Sequence, residues 1–481
     1  MVKSRNIGGM RLMADTARQE QRKRLMLTEP VGKVIFKMAV PTIIAFLINS
    51  IYSLADTWFV SALGTNATAA VSVNASLDQL IMMCGSMLAV GANSYIARLL
   101  GQGNHKKASQ VLSTGFFLAL SLGLLLTIFG NIFMKEMVVL LGATETCMDY
   151  SIDYATYVLF AAPFMATSFV MNQCLRSEGS ATLSMIGMGF GGILNCFLDP
   201  IFINGWEVLG IPAMGVAGAS LATMISKIVS FLILIFPYVT RKSLLHLSVR
   251  NFHPSWDIIS KIVSVGSSSM FRSGLAVVAG ILLNDMAGNI SDSVLAGIGV
   301  STKVMMFPFS IILGFGTGFQ PVAGFNWGAK RFDRVMDCYK YAAKMACLGS
   351  AIMAGLIAIF ANPIITAFAG SDPQMQEIGA LCIRTQCLAL PVHGWVAIVN
   401  MLCAGLGNAG GALALSTSRQ GSCFVPMLYP LVYFFGAYGI ASVQAVADVL
   451  SLALAIPIAL YMIKKIRNAQ ALHEAGQLQD E

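Results

Sequence analysis

The sequence predicts an all-α polytopic membrane protein, with about twelve transmembrane helices in two pseudo-symmetric six-helix bundles. Three observations carry this. Of 481 residues, 56% are hydrophobic and only 11% are charged, where a soluble domain carries about 25% charged residues. The apolar residues fall in runs of roughly 20 or more, the length a helix needs to cross a bilayer. The second half of the chain also echoes the first at a nearly constant offset.

Taken in order, the spans are expected near residues 36–60, 68–97, 108–134, 152–175, 181–204, 213–238, 257–287, 293–318, 336–361, 376–404, 412–436 and 439–463. The loops between them are short. This divides the chain into a basic tail (1–34), a first six-helix lobe (35–240), a linker (241–256), a second lobe (257–463) and a second tail (464–481). With twelve spans, the basic segments all fall on one side: the tail with Arg18, Arg22, Lys23 and Arg24, then Arg98–Lys107, Arg241–Arg250, Lys330–Arg334 and Lys464–Arg467. The other side holds Lys135 among Glu136, Glu145, Asp149, Glu207, Asp292, Asp372 and Glu377. Excess Lys and Arg mark cytoplasmic loops, so both termini are expected in the cytoplasm. The first apolar run follows the basic tail without a small-residue cleavage site, which argues against a cleaved leader. That tail is expected to be disordered and held near anionic lipid. The net charge of +8 sits in short segments between apolar runs, so it does not call for nucleic acid. Ten cysteines are scattered without a C-x-x-C or metal spacing, and are read as small buried hydrophobes rather than disulfides.

The internal repeat is visible residue by residue. Pro163 and Asn172 stand against Pro391 and Asn400, both at an offset of 228. L-D-P at 198–200 matches L-Y-P at 428–430, and G-V-A-G-A-S at 215–220 matches G-I-A-S-V-Q at 439–444. The turn A-R-L-L-G-Q-G-N-H-K-K at 97–107 falls against the basic turn A-G-F-N-W-G-A-K-R at 323–331. Six spans return the chain to its starting side, so the repeats run parallel and their pseudo-two-fold axis lies along the membrane normal. Such a pair of lobes suits alternating access better than an open channel.

Within the apolar spans, N-C-F-L-D-P-I-F-I at 195–203 stands out. A carboxylate at mid-membrane costs a few kcal/mol on insertion scales and persists when it faces a cavity or binds something. Asn195 and Asp199 are four apart and share a helix face. Pro200 lacks a backbone donor and disturbs the carbonyl at Cys196. Freed backbone beside a carboxylate makes a cation or proton site. In the first span Asp56 is a second intramembrane acid, with Tyr52 on its face.

The stretch P-T-I-I-A-F-L-I-N-S-I-Y-S-L-A-D-T-W-F-V-S-A-L-G at 41–64 resembles the first span of multidrug and toxin extrusion (MATE) transporters. G-A-N-S-Y-I-A-R-L-L-G-Q-G-N-H-K-K-A at 91–108 resembles their first cytoplasmic loop, and N-C-F-L-D-P-I-F-I with G-V-A-G-A-S-L-A-T at 215–223 their fifth and sixth spans. The resemblance covers nearly the whole chain beyond the tail and is strongest to the prokaryotic branch. It implies a drug/cation antiporter in a prokaryotic plasma membrane. Such a protein is not an enzyme, acts as a monomer on small organic substrates, and needs no cofactor beyond a coupling H⁺ or Na⁺. No G-x-x-x-x-G-K-[ST] motif is present, so an ion gradient must drive the cycle.

By the same resemblance, Tyr52, Asp56, Asn195, Asp199 and Thr223 form a cation site inside the first lobe, and Pro41 and Pro200 mark conformational hinges. Two buried acids near one another cannot both ionise cheaply, so the pair exchanges its cation as a unit. The second half departs from this pattern. Tyr429 stands where Asp199 would be, and Asn284 and Asp285 fall near the counterpart of Asp56, so a single cation site is expected. The second half instead places Arg272, Lys303, Arg384, Arg419 and Asp448 in or near apolar spans. A substrate cleft is expected at Asp78, Asn172, Asn284, Lys303, Arg384 and Asn400, with Asp78 and Lys303 approaching across it and pairing in one state of the cycle. Arg419 is expected to snorkel. The rival reading is a flippase for a lipid-linked precursor, or an exporter of an anionic metabolite, on the same scaffold. Arg272, Lys303 and Arg384 favour it; twelve spans oppose the flippase.

Overall fold

In the computed structural model, residues 19–61, 63–206, 210–369 and 372–476 are described. The expectations placed on Arg18 and Glu207 lie outside these residues. The first lobe is built from α1 (Val31–Ser61), α2 (Thr65–Gly101), α3 (His105–Ile132), a short α4 (Met134–Leu140), α5 (Met148–Ser177), α6 (Ala181–Asn204) and α7 (Val216–Val239). The second repeats the order: α8 (Trp256–Gly288), α9 (Asp292–Gly328), α10 (Phe332–Ile359), a short α11 (Ala361–Ala369), α12 (Pro373–Gly405), the pair α13 (Ala409–Thr417) and α14 (Phe424–Phe435), and α15 (Ala437–Glu474). In a bilayer every backbone polar group must be satisfied within the chain, which is why the apolar runs close their hydrogen bonds as helices.

Eleven of these helices are long and apolar enough to cross a membrane. The twelfth crossing, expected as one helix over 412–436, is broken between α13 and α14 by a π-helical turn at Ser418–Ser422. Gly421 is the one weak helix former in the run S-R-Q-G-S, and the amide of Cys423 bonds back five residues to the Ser418 carbonyl at 2.9 Å. The short helices α4 and α11, one after the third span of each lobe, had no strong signal in the sequence because neither is long enough to cross.

The packing follows the repeat. α2 packs on α5 and α9 on α12; α5 packs on α7 and α12 on α15; α1 packs on α6 and α8 on α13. Between the lobes, α1 packs on α9 and α2 on α8, two contacts that exchange under the pseudo-two-fold, while α2 and α9 meet each other. The lobes come closest through glycine. A Cβ on Gly91 would strike the Ile262 carbonyl, and one on Gly266 would strike the Met87 carbonyl. This contact lies toward the end of the molecule where Arg98, Lys107, Lys261, Lys330, Lys464 and Lys465 surround a shared hollow.

The tail before α1 is ordered in part, against expectation. Residues 19–27 are helical. Leu25 and Met26 are buried in the main core, Arg22 donates to the Gly179 carbonyl at 2.5 Å, and the Met26 carbonyl accepts from Arg334 Nε at 3.1 Å. The amphipathic run L-M-L supplies the anchor that the charge count conceals. The linker is likewise pinned. The amides of His246, Ser248 and His253 donate to the hydroxyls of Ser109, Ser113 and Thr114 along α3.

One acid holds the linker's start. Glu178, just past the end of α5, accepts from Ser243 Oγ at 2.5 Å and from the Leu244 amide at 2.8 Å. Burial lifts its carboxyl to about 7, against the opposing pull of those hydrogen bonds and of Arg22. The folded protein therefore holds this proton where the unfolded chain releases it. Stability from this group is full below the ordinary glutamate range and falls as pH rises toward 7. Thermal melting of the detergent-solubilised protein is expected to drop across that window. Glu178→Gln should flatten the dependence; an equally steep profile in the variant would assign it to another group.

Candidate functional site

Three helices of the first lobe converge on a polar cluster. α1 brings Tyr52 and Asp56, glycine-rich α6 brings Asn195 and Asp199, and α7 brings Thr223. Asp199 and Asn195 are fully buried, and Asp56 and Thr223 nearly so. The Asn195 amide Nδ2 donates both to Asp199 Oδ1 and to Thr223 Oγ1, each at 3.2 Å. This tie locks α6 to α7 and leaves acceptors facing inward. Asp56 Oδ1, Asp199 Oδ2 and Asn195 Oδ1 are all buried without a donor. A buried acceptor left unpaired is costly, and three of them on neighbouring helices form an oxygen-only set. Such a set suits a hard monovalent cation or a proton held by the carboxylates.

Three further residues belong to the cluster. Lys227 on α7, one turn beyond Thr223, donates from Nζ to the Tyr52 hydroxyl at 3.1 Å and lies 4.8 Å from the Tyr52 ring centroid. Asp78 on α2 acts electrostatically on both Asp56 and Lys227, and Asp56 on Asp199. Tyr154 on α5 is buried within electrostatic reach of Asp56, Asp78, Tyr52 and Asp199. The site therefore sets three carboxylates against one ammonium. Lys227 had a readable signal, since it lies four residues after Thr223 on the same helix face. Tyr154 had none.

The expected cleft residues divide. In the state this structure captures Asp78 and Lys303 form no ion pair: Asp78 lies within electrostatic reach of Asp56 and Lys227, and Lys303 is exposed on α9. Both lie on helices that meet at the lobe interface, but α2 turns Asp78 into its own bundle. Asn172 and Asn400 tie neighbouring helices: Asn172 Nδ2 donates to the Ser184 carbonyl at 3.1 Å, and Asn400 Nδ2 to Ser416 Oγ at 2.8 Å. These are matching joints between α5 and α6 and between α12 and α13. Asn172 also accepts from Arg176 Nη2 at 2.5 Å. Asn284 and Arg384 are exposed. Pro41 and Pro200 lie inside α1 and α6, each depriving the carbonyl four residues earlier of its donor.

In the second lobe a cavity of about 270 Å³ is lined by Arg272, His393, Arg419 and Asp448, with Asn400 also on its wall. Arg419 does not snorkel. Its Nε donates to Asp448 Oδ1 at 2.7 Å, and its guanidinium stacks 4.2 Å from the Phe309 ring centroid. Arg419 sits within the π turn, with its guanidinium turned into the lobe at the cavity wall.

Fold and site together define a two-lobed, polytopic helical transporter with a buried acidic cluster in its first lobe. The MatE family model matches residues 41–201 and 269–429, and the chain belongs to the MatE family. Both ends of the second match lie 228 residues beyond the first, the offset read from Pro163 and Pro391. The chain is 26% identical over 438 residues to the multidrug export protein MepA of Staphylococcus aureus (strain MSSA476), covering 90% of this chain and 94% of the relative. It is 24% identical over 452 residues to MepA of Staphylococcus haemolyticus (strain JCSC1435), covering 94% and 97%. Among solved structures, it matches an outward-facing multidrug resistance MATE transporter of the MOP superfamily at a TM-score of 0.86 and 26% identity, over 92% of this chain and 98% of that one. A MATE protein solved in a bent conformation matches at 0.85 and 26%, over 94% and 99%.

Proposed function

We propose that the protein is a cation-coupled antiporter that exports small organic compounds by alternating access between its two lobes. The observation that carries this is the trio of donorless buried oxygens on Asp56, Asp199 and Asn195. The relatives named for multidrug export support the cargo class. In the outward-open state H⁺ or Na⁺ reaches the acidic cluster and neutralises it. α1 then repacks around Pro41, a reading supported by a similar protein having been solved bent, and the cargo leaves outward. The emptied protein turns inward, binds cargo, and releases the cation. The cation does this only through its different affinity for the two states. Asp78 and Lys227 set the charge that the incoming cation meets. Both termini lie in the cytoplasm, since the basic turns gather at one end.

The test is uptake of ethidium by inside-out proteoliposomes under an imposed pH gradient, an Na⁺ gradient, or neither. One of the gradients is expected to drive accumulation. Equal dye movement in all three conditions would end the antiport reading.

A further inference from the structure

The second-lobe cavity is opposite in polarity to the first-lobe acidic cluster. Two guanidinium groups, Arg272 and Arg419, face it with a single carboxylate, Asp448. Asp448 is already engaged: Oδ1 accepts from Arg419 Nε at 2.7 Å and from Gln444 Nε2 at 3.5 Å, and lies 3.9 Å from His393 Nδ1. Arg272 donates from Nη2 to Ser269 Oγ at 3.1 Å and forms no ion pair among the described residues. Arg419 Nη2 is buried without an acceptor. Arg272 stands sixteen residues into α8, roughly 24 Å along its axis, too deep to reach water by snorkelling at either end. A cation in that position marks a functional site by default. The π turn that delivers Arg419 has no counterpart in the continuous α6 of the first lobe, and π turns within helices recur at functional sites.

From this geometry we propose that the cavity is an anion subsite that takes the carboxylate of an amphoteric organic cargo, with Arg272 and Arg419 as its donors. The proposal rests on the export reading above and narrows its cargo. The planar guanidinium fork matches a carboxylate better than it matches a sphere. At about 270 Å³ the cavity holds an aryl carboxylate fragment rather than a whole drug-sized molecule. Leu313, Val396 and Met401 supply its apolar wall. Gln79 of α2 also lines it, next in sequence to Asp78 of the acidic cluster. A cargo seated here therefore touches the helix that senses the coupling cation.

The experiment compares two dyes that differ by one ester: rhodamine 110, which carries a free carboxylate, and rhodamine 123, its methyl ester. Equilibrium binding to the full-length protein in detergent is measured in a low-salt buffer free of chloride and of carboxylates. Wild type is expected to prefer the acid by about tenfold or more, the worth of one charge-assisted hydrogen bond. Arg272→Gln should bring the acid-to-ester ratio to about one, and Arg272→Lys should retain a preference. Chloride that competes with rhodamine 110 would agree with a site for one negative charge. A wild-type ratio near one, or an Arg272→Gln ratio equal to wild type, overturns the proposal. So does chloride binding at the cavity without any preference for the acid dye. No gradient is present, so a failure of ion coupling leaves the ratio unchanged, and a lost ratio leaves ion coupling untouched.

Discussion

Asp199→Asn is expected to uncouple the protein. The side chain keeps its shape and can still accept from Asn195 Nδ2, so α6 and α7 stay tied. What is lost is the negative charge at the end of the donorless set. If the cation and the cargo act on each other through this cluster, their coupling is worth about 1–3 kcal/mol, or roughly 5- to 150-fold in affinity. Ethidium binding to wild type should therefore weaken over that range when pH is lowered or Na⁺ is added, whichever ion couples. In Asp199→Asn the binding should become indifferent to both, and gradient-driven uptake should stop. Asp56→Asn is expected to behave alike. Lys227→Met leaves three carboxylates without their ammonium and should bind the coupling cation more tightly, slowing release. An Asp199→Asn protein that still accumulates dye at the wild-type rate removes the acidic cluster from the mechanism.

The second large effect is expected at the glycine contact between the lobes. Gly91 on α2 and Gly266 on α8 meet the partner helix's backbone so closely that no Cβ fits. Overpacking of this kind costs about 1–3 kcal/mol, sometimes more. The cost falls on the state in which the lobes close at the basic end, not on the state in which they part. Gly91→Leu and Gly266→Leu should each shift that equilibrium by roughly 5- to 150-fold toward opening at that end. Spin labels at Lys106 and Asn468, in a cysteine-depleted background, would report a longer distance as the new major population. Gly349→Ala serves as the control, because a Cβ there meets nothing. Unchanged distances in a folded Gly91→Leu protein would show that closure does not depend on this contact.

Several pieces of this architecture were legible in the chain because they rest on local periodicity and bulk composition. Runs long enough to span a bilayer give the helices, and the shared offset of 228 gives the two lobes. Asp56 and Asp199 announce themselves because a carboxylate in an apolar run is expensive wherever the helix ends up. Arg419 was misplaced for an equally physical reason. Its depth depended on a π turn, and that turn adds a residue to the helix without a strong mark in composition. The order in residues 19–27 was hidden because three apolar residues sit among many charges.

Sequence alone settled that this chain crosses a membrane as two related halves, and which of its spans carry acids. That much follows from transfer free energies, which each residue brings with it. The tertiary structure decided the company those residues keep: Asp78 beside Asp56 and Lys227 rather than Lys303, and Arg272 facing a cavity with Arg419. Helix rotation and crossing are set by close packing between partners far apart in the chain, and no single span encodes the face its neighbour will present.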